Sequence, residues 1–196
     1  MDAQRLQQQL AFIVEVDQLK AVLRRSYLMD GSRRENSGEH SWHIALAAAI
    51  LAEYSDEPID LHRVIKILLA HDIVEIDAGD TFAYDVPGHV DKDEREQRAA
   101  DRLFGMLPAD QSREFRALWD EFEALITPEA RFARAIDMMM PLLHNYHNGG
   151  MAWREFGVTS DRVFSRAQQI GAASTDLWEQ IQVVIHLAVE KGYLRK

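Results

Sequence analysis

Apolar side chains return at three- and four-residue intervals along almost the whole chain, the period of helices with one buried face. Leu6, Leu10, Ile13, Val14, Leu19, Val22 and Leu23 predict a first helix over about residues 4–24. A polar stretch, 29–38, follows, and Ser37 or Ser41 is placed to cap a second helix carrying Ile44, Ala45, Ala48, Ala49 and Leu51. Beyond the Asp56-Glu57-Pro58 turn, a third helix begins near Asp60 with Val64, Ile65, Leu68 and Leu69 on its inner face. It ends between Glu75 and Gly79, where polar residues and glycine collect. Residues 80–91 hold Pro87-Gly88 and little periodicity, and read as a loop over a surface or a site. Helices resume over about 91–107 and 108–126, and Pro128 opens another with Phe132, Ala135, Ile136 and Met139, ended by Gly149-Gly150. The last cover about 160–170 and 175–191. No segment alternates convincingly, so the expected fold class is all-α.

Length suits one domain, taken as residues 1–196, and folding of such a chain buries roughly 70% of its extended surface. The chain has no cysteine, which excludes disulfides and thiolate metal sites and fits a reducing cytoplasm. Lys and Arg number 22 against 32 Asp and Glu, a formal charge of −10. Such a surface is a poor platform for duplex DNA or an anionic membrane, so neither is expected as a partner. A substrate carrying phosphate would need a local reversal of the field. The longest apolar stretch, about residues 44–52, is far short of a membrane span, and the polar start at Asp2 does not read as a secretory segment.

Metal-type ligands concentrate in three places: Glu39-His40 at the start of the second helix, His71-Asp72 closing the apolar Ile67-Leu68-Leu69-Ala70 run, and Asp137 within an apolar helix. Neighbours on a helix diverge by about 100°, so His71 and Asp72 can bracket one ion beside the helix end. An unpaired carboxylate at 137 would be costly among apolar neighbours, and a divalent cation removes that cost. Two imidazoles and two carboxylates suit Mn²⁺, Fe²⁺, Co²⁺, Zn²⁺ or Mg²⁺. On the residues alone, Asp137 is also readable as a buried hydrogen-bond acceptor between helices, and His40 as a capping residue.

The combination resembles the HD-domain superfamily of metal-dependent phosphohydrolases. It is closest to the small single-domain branch that includes bacterial 5′-deoxynucleotidases and the proteins called HD domain-containing protein 2. The matching text is Arg33-Arg34-Glu35-Asn36-Ser37-Gly38-Glu39-His40-Ser41, Leu69-Ala70-His71-Asp72-Ile73-Val74-Glu75, Ala78-Gly79-Asp80-Thr81 and Arg134-Ala135-Ile136-Asp137. The likeness covers about residues 19–148, with helices over about 160–191 packing on that core.

The resemblance implies an HD-type helical bundle in which His40, His71, Asp72 and Asp137 bind one divalent cation. Glu75 would orient or deprotonate the attacking water, Asp80 and Thr81 would contact the nucleotide sugar, and Arg25 would align the phosphate. Ser26 stands where the deoxynucleotidases carry a tryptophan that helps read the sugar, so sugar discrimination is not carried over. The activity implied is phosphomonoester hydrolysis of a nucleoside 5′-monophosphate by a metal-bound water. The alternatives are a nucleotide-binding or regulatory protein that keeps the metal site without turnover, and a helical interaction module without a site. Binuclear relatives need further histidines between the His-Asp pair and the last aspartate; that interval offers only His89, so a mononuclear site is expected. His144 and His147 read as packing or dimer contacts, and His43, His62 and His186 as surface or structural residues. Met138-Met139-Met140 and the four tryptophans read as core or interface side chains, and a homodimer is expected.

Overall fold

A computed structural model describes residues 3–85 and 87–196; the polar start at Asp2, and Val86 within the 80–91 loop, lie outside the described residues. The first stretch is helical only to Val16. Helix α1 (Ala3–Val16) runs into a 3-10 turn, Asp17–Ala21, and the chain then extends instead of continuing as helix to residue 24. Strands β1 (Leu23–Tyr27) and β2 (Arg34–Asn36) pair antiparallel, Leu23 opposite Asn36 and Tyr27 opposite Arg34. Arg24 and Ser26 face inward while Leu23 and Arg25 are exposed. The strand has a period of two, but its inward residues are an arginine and a serine. Hydropathy therefore does not reveal it.

Strand β2 feeds directly into α2 (Ser37–Leu51) through Asn36. The Asn36 side chain accepts the Glu39 N–H at 2.9 Å, and the Glu39 carboxylate accepts the Asn36 N–H at 2.8 Å, a reciprocal capping box. Asn36, not Ser37 or Ser41, is the cap, because both serines already lie within the helix. Asp60 caps α3 (Leu61–Ala70), accepting the N–H groups of His62 and Arg63. The expected continuation to 75–79 is broken into a 3-10 turn, His71–Val74, and the single turn α4 (Glu75–Ala78), stopped by Gly79 at φ 74°. The remaining helices are α5 (Lys92–Phe104), α6 (Ala109–Ala124), α7 (Pro128–His147), α8 (Met151–Glu155), α9 (Ser160–Ala167) and α10 (Thr175–Glu190).

The architecture is an all-α bundle with one small hairpin. Helix α7 packs against α2, α3, α6 and α10, and its Phe132 and Ile136 are fully buried in a core shared with Ile44, Leu68 and Ile185. A second cluster gathers Phe12, Leu103, Phe104 and Trp119, with Phe115 packing against both. Leu69, expected to face inward, is exposed, as is Ala49 on α2. Trp42 is also not a core residue: it is 62% exposed, in line with exposed Leu46 and Ile50 on α2. No helix among the described residues is long and apolar enough to cross a membrane.

The capping box sets the register in which α2 presents His40. Asn36→Ala is expected to cost about 1 kcal/mol, which for a chain of this size lowers Tm by about 2–4 °C. Asn36→Asp should lose far less, and thermal unfolding of the two variants checks this.

A candidate metal centre

His40, in the first turn of α2, is completely buried. Its Nε2 lies 3.0 Å from Asp137 Oδ1, supplied by the middle of α7. His71 and Asp72 occupy the 3-10 turn that follows α3. His71 Nε2 is 2.9 Å from Asp72 Oδ1 and 4.0 Å from Asp137 Oδ1, and Phe122 packs edge-on against the imidazole at 4.7 Å. The structure thus brings His40, His71, Asp72 and Asp137 together from three separate elements. Separations near 3 Å suit neighbouring ligand atoms that share a centre about 2.0–2.2 Å away.

The tautomer of His71 tests whether a cation fits. His71 Nδ1 donates to the Leu68 carbonyl at 2.8 Å, so in the neutral ring Nε2 carries the lone pair. That nitrogen is buried without a hydrogen-bond partner and faces the oxygens of two carboxylates. Lone pair against carboxylate is repulsive, whereas a divalent cation between them is bound by all three. The donor set fits a hard or borderline ion.

Around these four side chains the field is strongly negative, and the counter-charge that reaches most of it is the largely covered Arg24. Arg24, reaching in from β1, places Nη1 2.7 Å from Asp72 Oδ2 and 3.9 Å from both Glu75 Oε1 and Asp80 Oδ1. Its Nη2 is 3.9 Å from Asp137 Oδ1. Burial opposes the Arg24 charge, but these carboxylates outweigh it and hold the guanidinium cationic. Burial also pushes Asp72 up, yet His71 and Arg24 bring it down to about 2. Asp137 is likewise opposed by burial and held below its ordinary range by His40, His71 and Arg134. Glu75 goes the other way: burial first, then the charge of Asp72, lifts its carboxyl well above the usual range. Glu35 is kept below its ordinary value, because His40, His144 and Arg24 outweigh the effect of burial.

Glu75 stands one residue past the 3-10 turn, and its Oε2 accepts the Ser37 hydroxyl at 2.6 Å. Asp80 accepts the backbone N–H of Arg25 at 3.3 Å and is pushed up by burial and by Asp72, against the pull of Arg24. Thr81 Oγ1 accepts a long hydrogen bond from Arg95 at 3.4 Å. These residues, with Arg25 and buried Ser26, line one cavity of about 150 Å³ that includes His71, Asp72 and Asp137. Arg25 is not in the carboxylate cluster; it is exposed on the cavity lining, its guanidinium 5.7 Å from the Phe156 ring centre. The arginine inside the cluster is Arg24, which sequence reasoning passed over for its neighbour. Two-residue alternation through 24 and 26 was the signal available. Glu35, in the matching motif but given no role from sequence, is also buried here.

A family model described as "HD domain" matches residues 16–178. Among solved structures, one described as a predicted metal-dependent phosphohydrolase from Magnetospirillum magnetotacticum is 51% identical. It superposes with a TM-score of 0.93, covering 98% of this chain and 100% of that one. The bovine 5′-deoxynucleotidase HDDC2 is 30% identical over 135 residues, 68% of this chain and 64% of its own length. The zebrafish protein of the same name is 27% identical over 168 residues, 83% of this chain and 82% of its own length. The chain thus spans just under two thirds of the bovine relative.

In metal-free protein His40 is pushed down by burial and Arg24, but Asp137 and Glu35 raise it to about 9 from 6.5. A folded-state value above the unfolded one gives stability that is complete below about pH 6.5 and lost as pH rises through 9. Raised Glu75 acts in the same sense from its lower starting point. Thermal unfolding in chelator should therefore show Tm falling from pH 6.5 to 9, and His40→Leu should flatten that part of the profile.

Proposed function

The chain belongs to the HD-domain family, and on that premise we propose that it is a metal-dependent phosphomonoesterase acting on nucleoside 5′-monophosphates, deoxynucleotides among them. The observation that carries this reading is the buried, unpartnered His71 Nε2 facing Asp72 and Asp137, next to a carboxyl group, Glu75, already held on one oxygen by Ser37. The names of the HDDC2 relatives support the substrate class.

His40, His71, Asp72 and Asp137 would hold the divalent cation, which when bound supplies Lewis acidity toward a phosphate oxygen and makes a neighbouring water more acidic. Ser37 restrains Glu75 Oε2, leaving Oε1 free to accept the proton of the attacking water. As the water oxygen bonds to phosphorus, the ester P–O bond breaks, and the departing 5′ oxygen takes up the proton that Glu75 accepted, which returns Glu75 to its ionised form. Arg25, exposed on the cavity lining, would hold the remaining phosphate oxygens with a planar fork of donors. Arg24 keeps the packed carboxylates from repelling one another. The cavity lining also includes Phe82, Tyr84, Trp153 and Val163, apolar and aromatic side chains suited to a sugar and a base.

Phosphate release should be measured on a panel of ribo- and deoxyribonucleoside monophosphates with added Mn²⁺, Co²⁺ or Mg²⁺. Turnover of at least one is expected, and Glu75→Gln should lower kcat by about 10²–10⁴ while still binding Mn²⁺. A protein that binds the metal yet hydrolyses none of the panel would defeat this reading.

A further inference from the structure

Behind the cluster, on the side of His40 away from Asp137, lies a second carboxylate the proposed chemistry does not use. Glu35, in the middle of β2, is 1% exposed. Its Oε2 is 3.3 Å from His40 Nδ1, 3.7 Å from Arg24 Nε and 3.8 Å from His144 Nδ1. All four atoms are buried and none completes a hydrogen bond, so the charge of Glu35 Oε2 is met by these three nitrogens at close range. His40 therefore has a carboxylate oxygen beside each ring nitrogen, Asp137 at 3.0 Å from Nε2 and Glu35 at 3.3 Å from Nδ1.

We propose that Glu35 is a positioning residue for the cation site, holding the proton of His40 on Nδ1 so that Nε2 is presented to the cation as a lone pair. An ionised carboxylate only accepts, so the nitrogen that faces Glu35 must carry the hydrogen. In a neutral ring that leaves Nε2 free, aimed at Asp137. The same outcome is reached at His71 by a different partner, the Leu68 carbonyl at 2.8 Å from Nδ1. Both imidazoles thus turn the same nitrogen inward, each fixed from behind. The inference rests on the metal-site reading above, but not on any substrate.

The test is Zn²⁺ binding by titration calorimetry, together with proton NMR of the Zn²⁺-loaded protein in the imidazole N–H region. Wild type is expected to bind one equivalent and to show a downfield Nδ1–H resonance from His40. Glu35→Leu should weaken Zn²⁺ binding by about 10–100-fold and remove that resonance. Glu35→Gln, which keeps the shape and an acceptor oxygen and so guards against a folding failure, should lose less affinity and shift the signal upfield. Wild-type affinity and an unmoved resonance in both variants would overturn the proposal. Glu35, His43 and His144 also present ligand atoms within 4.8 Å of one another. A second Zn²⁺ equivalent that His144→Leu abolishes would likewise overturn it, by making Glu35 a ligand. Normal Zn²⁺ behaviour in a protein that hydrolyses no nucleotide would sink the enzymatic reading and leave Glu35 in its role.

Discussion

Like charges do not gather in a protein interior unless something opposes their repulsion, and here five carboxylates do. Glu35, Asp72, Glu75, Asp80 and Asp137 all lie within 4 Å of one guanidinium, that of Arg24. One guanidinium cannot balance five acids, so the chain adjusts what it can. Glu75 is driven toward its neutral form, while Asp72 and Asp137 are stabilised as anions by imidazoles. The residual negative charge is what a divalent ion would meet. Removing a single partner from such a cluster leaves an uncompensated buried charge, generally a larger loss than an exposed ion pair contributes.

The fold serves that convergence. The hairpin carries Arg24 inward on one strand and Glu35 on the other, and its second strand becomes the cap of α2 without an intervening residue. The change from α-helix to 3-10 turn at His71 places Asp72 beside His71 Nε2 and aims Glu75 at Ser37. Helix α7 contributes Asp137 from a face otherwise committed to the core. Arg25, Lys92, Arg134 and Arg166 line the cavity, but so do Asp72, Glu75, Asp80, Glu96, Glu123 and Asp137, so without a bound cation its lining shares the acidic balance of the whole chain.

Helices with strong apolar periodicity were legible in the sequence: α5, α6, α7 and α10 begin within two or three residues of where the pattern places them. What escaped was local. β1 was hidden because its inward positions are Arg24 and Ser26, polar groups buried for the site and not for the core. The break after Ala70 was hidden because the 3-10 turn keeps an apolar composition through Ile73-Val74. For Trp42 the sequence left core and interface both open, because α2 is apolar on nearly all sides and its composition does not say which face is covered; the structure excludes the core. The cluster of His40, His71, Asp72 and Asp137 was legible because ligand-type residues are conspicuous among alanines, leucines and methionines. Arg24 and Glu35 were not, since a charged residue beside other charged residues reads as solvent-facing until the backbone turns it inward.

The two imidazoles differ in what anchors them. His71 leans on the carbonyl of Leu68, a main-chain oxygen that every amino acid possesses, so no replacement of the Leu68 side chain removes the acceptor itself. His40 leans on a side chain that one codon change can delete. Mutational drift therefore reaches the two halves of the same cluster unequally: one is insured by the polypeptide backbone, while the other depends on selection continuing to keep an acid at position 35.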